Sequence, residues 1–128
     1  MSISFQTVPS IESGLGKISV LPEVCNRLNI KKPIIVTDQG LFQIGLVEKL
    51  KKTLEKNNIQ TYIYKDVLAD PPEHNIFDAV KLFDDFGADG VIGFGGGSSM
   101  DVAKAVSYFS INKISISECY GVNKLVNK

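Results

Sequence analysis

Apolar and polar positions along the chain form short continuous apolar runs separated by stretches of helical period. Pro33-Ile34-Ile35-Val36-Thr37 is one such run, bounded by its proline and by Asp38-Gln39-Gly40. A run of this kind suits a strand covered on both faces, as in a parallel sheet between helices. Val91-Ile92-Gly93-Phe94 reads as a second buried strand. Gln60-Thr61-Tyr62-Ile63-Tyr64, rich in β-branched and aromatic residues, reads as a strand between the two. Near the start, Ile3 and Phe5 alternate with polar neighbours and predict a half-exposed first strand.

The intervening segments place apolar residues three and four apart, the period of a helix with one buried face. Leu21, Val24, Cys25 and Leu28 predict a helix from Val20 to Leu28, with Pro22 tolerated in its first turn. Leu46, Val47, Leu50 and Leu54 share a face of a helix from Leu46 to Lys56, which Asn57-Asn58 ends. On its wet side Glu48–Lys52 and Lys51–Glu55 are spaced as i,i+4 ion pairs. Ile76, Phe77, Val80 and Phe83 line a helix from Glu73 to Phe86, broken by Gly87-Ala88-Asp89-Gly90. The last clear helix opens at Gly95-Gly96-Gly97 and runs to Phe109, with Val102, Val106 and Phe109 as its core face. Beyond Ser110 the pattern is weak.

Strands alternating with helices of this length imply right-handed crossovers. The expected fold is α/β: an open, mostly parallel sheet with flanking helices, a Rossmann-like nucleotide-binding arrangement. With no internal repeat, low-complexity stretch or linker, residues 1–128 read as one domain.

Composition narrows the function classes. Hydrophobic residues make up 44% and charged residues 22%, ordinary for a globular domain. Lys and Arg total 14, as do Asp and Glu, which argues against nucleic acid as a partner. No apolar run approaches the ~18 residues of a membrane span. The N-terminus has neither a basic segment nor an apolar one of the secretory kind. Cys25 and Cys119 form no C-x-x-C and are expected as reduced thiols in a cytoplasmic protein.

The strongest chemical signal is Gly95-Gly96-Gly97-Ser98-Ser99-Met100-Asp101, placed after a buried strand and at the start of a helix. Three glycines remove every side chain that could block a phosphate, and the helix beyond them offers free N–H groups and the positive end of its dipole. Ser98 and Asp101 also fit the capping-box spacing, with Ser98 as N-cap and Asp101 as third helical residue. Both a capping and a ligand-side role stay open for Asp101. The string is neither a G-x-G-x-x-G fingerprint nor a P-loop, so spacing alone indicates a phosphate-bearing ligand without naming it.

Asp38 stands at the carboxyl end of the Ile34–Thr37 run, on the same sheet edge as the glycines. A carboxylate there can accept hydrogen bonds from a ribose diol and would repel a 2′-phosphate. The other reading is a turn or N-cap for the short Gly40–Gly45 segment. The single histidine, His74, opens a helix as an exposed residue with no His or Cys at metal-ligand spacing.

Taken together, Ile34-Ile-Val-Thr-Asp38-Gln-Gly-Leu41 and Gly87-Ala-Asp-Gly90 through Gly95-Gly-Gly-Ser98-Ser-Met-Asp101-Val-Ala-Lys104 resemble the N-terminal part of the iron-containing alcohol dehydrogenases. The resemblance implies that Gly95, Gly96, Gly97 and Ser98 hold the diphosphate of NAD(H), with Asp101 close by. It implies that Asp38 reads the adenosine ribose and favours NAD(H) over NADP(H). It extends to the Asp70-Pro71 loop, where relatives often carry asparagine, and adds Asp70 as a candidate cofactor contact. Its activity would be hydride transfer between NAD(H) and a small alcohol or aldehyde, in a homodimer.

The resemblance also implies iron, or sometimes zinc, held by one aspartate and three histidines in an all-helical second half. One histidine in 128 residues does not supply that set. The expectation is therefore a cofactor-binding half, without catalytic or metal-binding residues of its own and inactive alone. Two other readings stay open: a non-catalytic nucleotide-binding or assembly fragment, and a relative of the glycerol dehydrogenase or dehydroquinate synthase kind.

Overall fold

The computed structural model describes residues 8–119. The half-exposed strand expected around Ile3 and Phe5 lies outside them. Helix α1 spans Leu21–Arg27, strand β1 Pro33–Val36, helix α2 Gln39–Gln43 and helix α3 Leu46–Glu55. Strand β2 spans Tyr62–Tyr64, helix α4 Glu73–Phe86, strand β3 Gly90–Gly93 and helix α5 Gly97–Ile111. Short 3-10 turns cover Lys17–Val20 and Ile116–Cys119.

The sheet is three-stranded, all parallel, in the order β2-β1-β3. Ile34 faces Tyr62 on one side and Val91 on the other. The central place explains the continuous apolar run of β1: Pro33 and Thr37 are buried and Ile34, Ile35 and Val36 are wholly inaccessible. Successive side chains alternate between two cores. Ile34 and Val36 join Tyr64, Val67, Ala79, Val102 and Val106, under α4 and α5. Ile35 joins Cys25, Val47, Leu50, Leu54 and Ile59, under α1 and α3. Helices thus cover both faces, as parallel strands require.

Local signals set the boundaries. Gly87 caps α4 in the left-handed conformation, at φ 64° and ψ 47°. Asn58, at φ 59°, turns the chain out of α3. Asp89 then fixes the entry to β1, its carboxylate accepting the N–H of Lys31 at 2.8 Å and of Lys32 at 2.7 Å.

Four expectations need correction. Val91 and Ile92 are only partly buried, because β3 is an edge of the described sheet and lacks a neighbour on its outer side. Leu28 is 61% exposed, since α1 ends at Arg27 and the chain turns before Leu28 can join the buried face. Leu46 and Phe77 lie at the rims of their helices' apolar stripes and are 44% and 43% exposed. The Lys51–Glu55 pair closes at 3.7 Å, whereas no ion pair joins Glu48 to Lys52. Cys25 and Cys119 are free thiols. Among the described residues no helix is long and apolar enough to cross a membrane.

Candidate functional site at the sheet's switch point

Leaving β1, the chain moves to one side of the sheet to form β2; it then crosses over β1 to place β3 on the other. The connections diverge at the carboxyl ends of β1 and β3, the switch point where open parallel sheets form a ligand crevice. Asp38 follows β1 and the glycine run follows β3, so the fold brings the two sequence signals to one place. Asp38, Gly96, Gly97 and Ser98 line a cavity of about 220 Å³ together with Val67, Leu68, Ala69 and Ser99.

The β3–α5 loop is shaped by close packing. A methyl group on Gly93 would lie 2.9 Å from the Ala103 Cβ, so α5 can approach β3 only over a glycine. Gly95 has φ +150°, and a methyl there would lie 2.7 Å from Ser99 Oγ and 3.3 Å from Asp38 Oδ2. Methyls on Gly96 and Gly97 would meet nothing within 4 Å, which leaves the cavity side of the loop open.

Here the capping-box expectation fails. Gly96, extended at φ −80° and ψ −167°, is the N-cap of α5, and no side chain caps the helix. Ser98 becomes the second helical residue and Asp101 the fifth, because the glycines let α5 begin two residues earlier. The first intrahelical bond of α5 runs from Met100 N–H to Gly96 O at 3.0 Å. The N–H groups of Gly97, Ser98 and Ser99 therefore have no intrahelical partner. No acidic residue occupies the first turn to offset the dipole, which leaves about half a positive charge at the cavity.

Asp38 behaves as the N-cap reading expected, its Oδ1 accepting the Leu41 N–H at 3.0 Å. The same bond fixes the carboxylate, and the side chain still lines the cavity, so the capping and ligand-side readings are compatible. Asp101 is not in the cavity; its carboxylate is 73% exposed and pairs with Lys104 at 3.4 Å. Asp70 is not among the lining residues either, although its neighbour Ala69 is, and it holds a left-handed φ of 49°. His74 is exposed and lines a separate groove with Asp66 and Asp78.

Sequence reasoning did not single out Asn75, Ser99 or the Val67–Ala69 wall. Asn75 and Ser99 carry a readable signal: each is a polar residue on the buried stripe of its helix, beside Ala79 and Ala103 respectively. The wall carries none, because it has no regular period. Burial pushes the Tyr64 hydroxyl above its ordinary pKa, opposed by the Asn75 hydrogen bond and reinforced by the charges of Asp78 and Asp66. Among the described residues, no three of His, Cys, Asp and Glu lie close enough to hold a metal ion.

Known proteins resemble this chain in sequence and fold. The sulfoacetaldehyde reductase of Bilophila wadsworthia is 35% identical over 127 residues, covering 99% of this chain and 33% of its own. The NAD-dependent methanol dehydrogenase of Bacillus methanolicus is 29% identical over 95% of this chain and 32% of its own. A solved 1,3-propanediol oxidoreductase superposes with a TM-score of 0.85 at 31% identity, over 89% of this chain and 30% of its own. The chain thus spans about a third of the length of the curated relatives it matches. The sequence pattern of the iron-containing alcohol dehydrogenases matches residues 9–128 and takes in the strand, glycine loop and helix that build the cavity, so this chain belongs to that family.

Proposed function

We propose that the switch-point cavity binds the diphosphate and adjoining ribose of NAD(H), and that the chain is the cofactor-binding part of an oxidoreductase. The reaction is hydride transfer between NAD(H) and a small alcohol or aldehyde. The observation that carries this reading is the uncapped start of α5, whose free N–H groups open onto the same cavity as the Asp38 carboxylate. A diphosphate matches the N–H groups of Gly97, Ser98 and Ser99, with the Ser98 hydroxyl as a further donor. Open space at Gly96 and Gly97 lets phosphate oxygens reach the backbone.

Asp38, held by Leu41 N–H, accepts hydrogen bonds from the ribose diol through its remaining lone pairs. A 2′-phosphate at that position would face a fixed negative charge, which favours NAD(H) over NADP(H). Asp101 contributes to the local field only, and Asp70 shapes the loop behind the cavity. When bound, the nicotinamide supplies the hydride donor or acceptor. The described residues do not fit the iron for which the family is named. The NAD dependence of the Bacillus methanolicus methanol dehydrogenase supports the choice of cofactor. The residues 1–128 act as one domain in this reading, and assembly as a homodimer goes with it.

The test is a fluorescence titration of the chain with NADH and NADPH, beside Asp38→Ser and Asp38→Gly. Serine can still cap α2, so its loss of NADH preference would isolate the ribose role from the cap. Saturable NADH binding, weaker NADPH binding and a lost preference in both variants are expected. A folded chain that binds neither nucleotide, or binds both alike whatever stands at position 38, would overturn the assignment.

A further inference from the structure

One wall of the cavity is the glycine loop; the other is Val67-Leu68-Ala69, an irregular segment that ordinary loop physics would leave mobile. Its backbone is instead held from behind by one side chain. Asn75, in the first turn of α4, is 2% exposed, and its carboxamide is fully used. Its Oδ1 accepts the Leu68 N–H at 3.0 Å. Its Nδ2 donates to the Asp66 carbonyl at 3.1 Å and to Tyr64 Oη at 3.2 Å. The segment is further tied to the Asp38 side of the cavity, by Val67 N–H to Thr37 O at 3.3 Å and by Gln39 Nε2 to Asp66 Oδ1 at 2.7 Å.

We propose that Asn75 is a positioning residue for the cofactor, fixing the Val67–Ala69 wall at the spacing from Gly96–Ser99 that clasps the ribose beside the diphosphate. This rests on the cofactor reading above. The side chain touches no ligand; it acts through the backbone it holds. No other side chain type of this size supplies an acceptor and two donors at once. Leucine at position 75 would keep the branched outline, with bulkier methyls in place of the amide, and leave the part-buried Leu68 N–H and Asp66 carbonyl without that partner. Aspartate would remove both donors and set a carboxylate against the Asp66 carbonyl.

The experiment compares the chain with Asn75→Leu and Asn75→Asp, using NADH and inorganic pyrophosphate as separate probes and hydrogen exchange as the structural readout. Pyrophosphate meets only the glycine wall, whereas the ribose of NADH needs both. The expected result is NADH affinity reduced about tenfold or more, with pyrophosphate affinity unchanged to about twofold. In Asn75→Leu, which removes the acceptor of the Leu68 N–H, that amide should exchange faster while the amide of Ile35, central in the sheet, stays protected.

Equal NADH affinity in the variants and the parent would overturn the proposal and leave the cofactor reading standing. No NADH binding by the folded parent would overturn both. Parallel loss of NADH binding, pyrophosphate binding and Ile35 protection in Asn75→Leu would show a general structural role if Asn75→Asp behaved the same way. An Asn75→Asp variant that melts like the parent but loses NADH alone would sustain the proposal even if the leucine variant did not fold.

Discussion

The glycine loop separates stability from binding residue by residue, and alanine substitution at Gly95, Gly96 and Gly97 measures that separation. At Gly95 the backbone sits at φ +150°, a region costing an L-residue of order 1–3 kcal/mol. The new methyl would also lie 2.7 Å from Ser99 Oγ and 3.0 Å from Ser99 Cβ. Ser99 is 1% exposed and has no solvent to swing into, so the overlap adds about 1–3 kcal/mol. Gly95→Ala should therefore lose about 2–6 kcal/mol out of a typical domain stability of about 5–15. At roughly 4 °C per kcal/mol, its melting temperature falls by about 8–24 °C. Gly96→Ala has no such strain, because Gly96 is extended at φ −80° and its methyl meets no atom within 4 Å. Its stability should stay within about 0.5 kcal/mol of the parent or rise slightly as the unfolded chain loses freedom. That methyl stands where a phosphate oxygen would approach, as does the one in Gly97→Ala, so NADH affinity should fall about tenfold or more. Thermal melts followed by circular dichroism, with NADH titration of each variant, provide the readout. A Gly95→Ala chain melting within about 2 °C of the parent would refute the strain argument. A Gly96→Ala chain that binds NADH as tightly as the parent would refute the cradle.

Two further predictions concern stability away from the cavity. Asp89→Ala removes both carboxylate bonds that fix the entry to β1; because the group is exposed, the loss should be about 1–2 kcal/mol in a denaturant titration. An unchanged midpoint would show that these bonds only replace water. Burial first, and the nearby Asp89 charge second, push the Cys25 thiol above its ordinary pKa of 9.0. The unfolded chain then loses this proton first, so the contribution is intact below about pH 9 and is lost as pH rises through the folded value. Tyr64, raised by burial above 10.0, acts with the same sign at higher pH. The melting temperature should drop above pH 9, and less steeply in Cys25→Ala. A parallel pH profile in that variant would remove the thiol from the account.

Much of the fold is legible in the chain because local physics and tertiary context agree there. Pro33–Val36 reads as a strand buried on both faces, and it is the central strand. The Val102, Val106 and Phe109 stripe reads as the core face of α5 and is buried. Glycine spacing and strand position mark Gly95, Gly96, Gly97, Ser98, Asp101 and Asp38 as candidates, and four of the six line the cavity. Gly95 instead lies outside the lining, where a side chain would collide with Ser99. The misreadings have specific causes. Ser98 matched a capping box, but the two glycines before it let the helix start earlier and displaced the cap to Gly96. Val91 and Ile92 matched a buried strand, but burial of a strand depends on its neighbours, and β3 stands at an edge.

What the sequence determined by itself was the alternation of strands and helices and the chemistry of one loop, because both depend on residues close together in the chain. What only the tertiary structure decided was the strand order β2-β1-β3. That order sets a switch point between two segments more than fifty residues apart and puts the Asp38 carboxylate opposite an uncapped helix start. It also gave Asn75 its place. A polar residue in an apolar stripe is an anomaly until the fold brings the Leu68 N–H, the Asp66 carbonyl and the Tyr64 hydroxyl around it. Local pattern carries no information about which distant backbone groups will need a partner; only the packing of α4 against the sheet's edge supplies it.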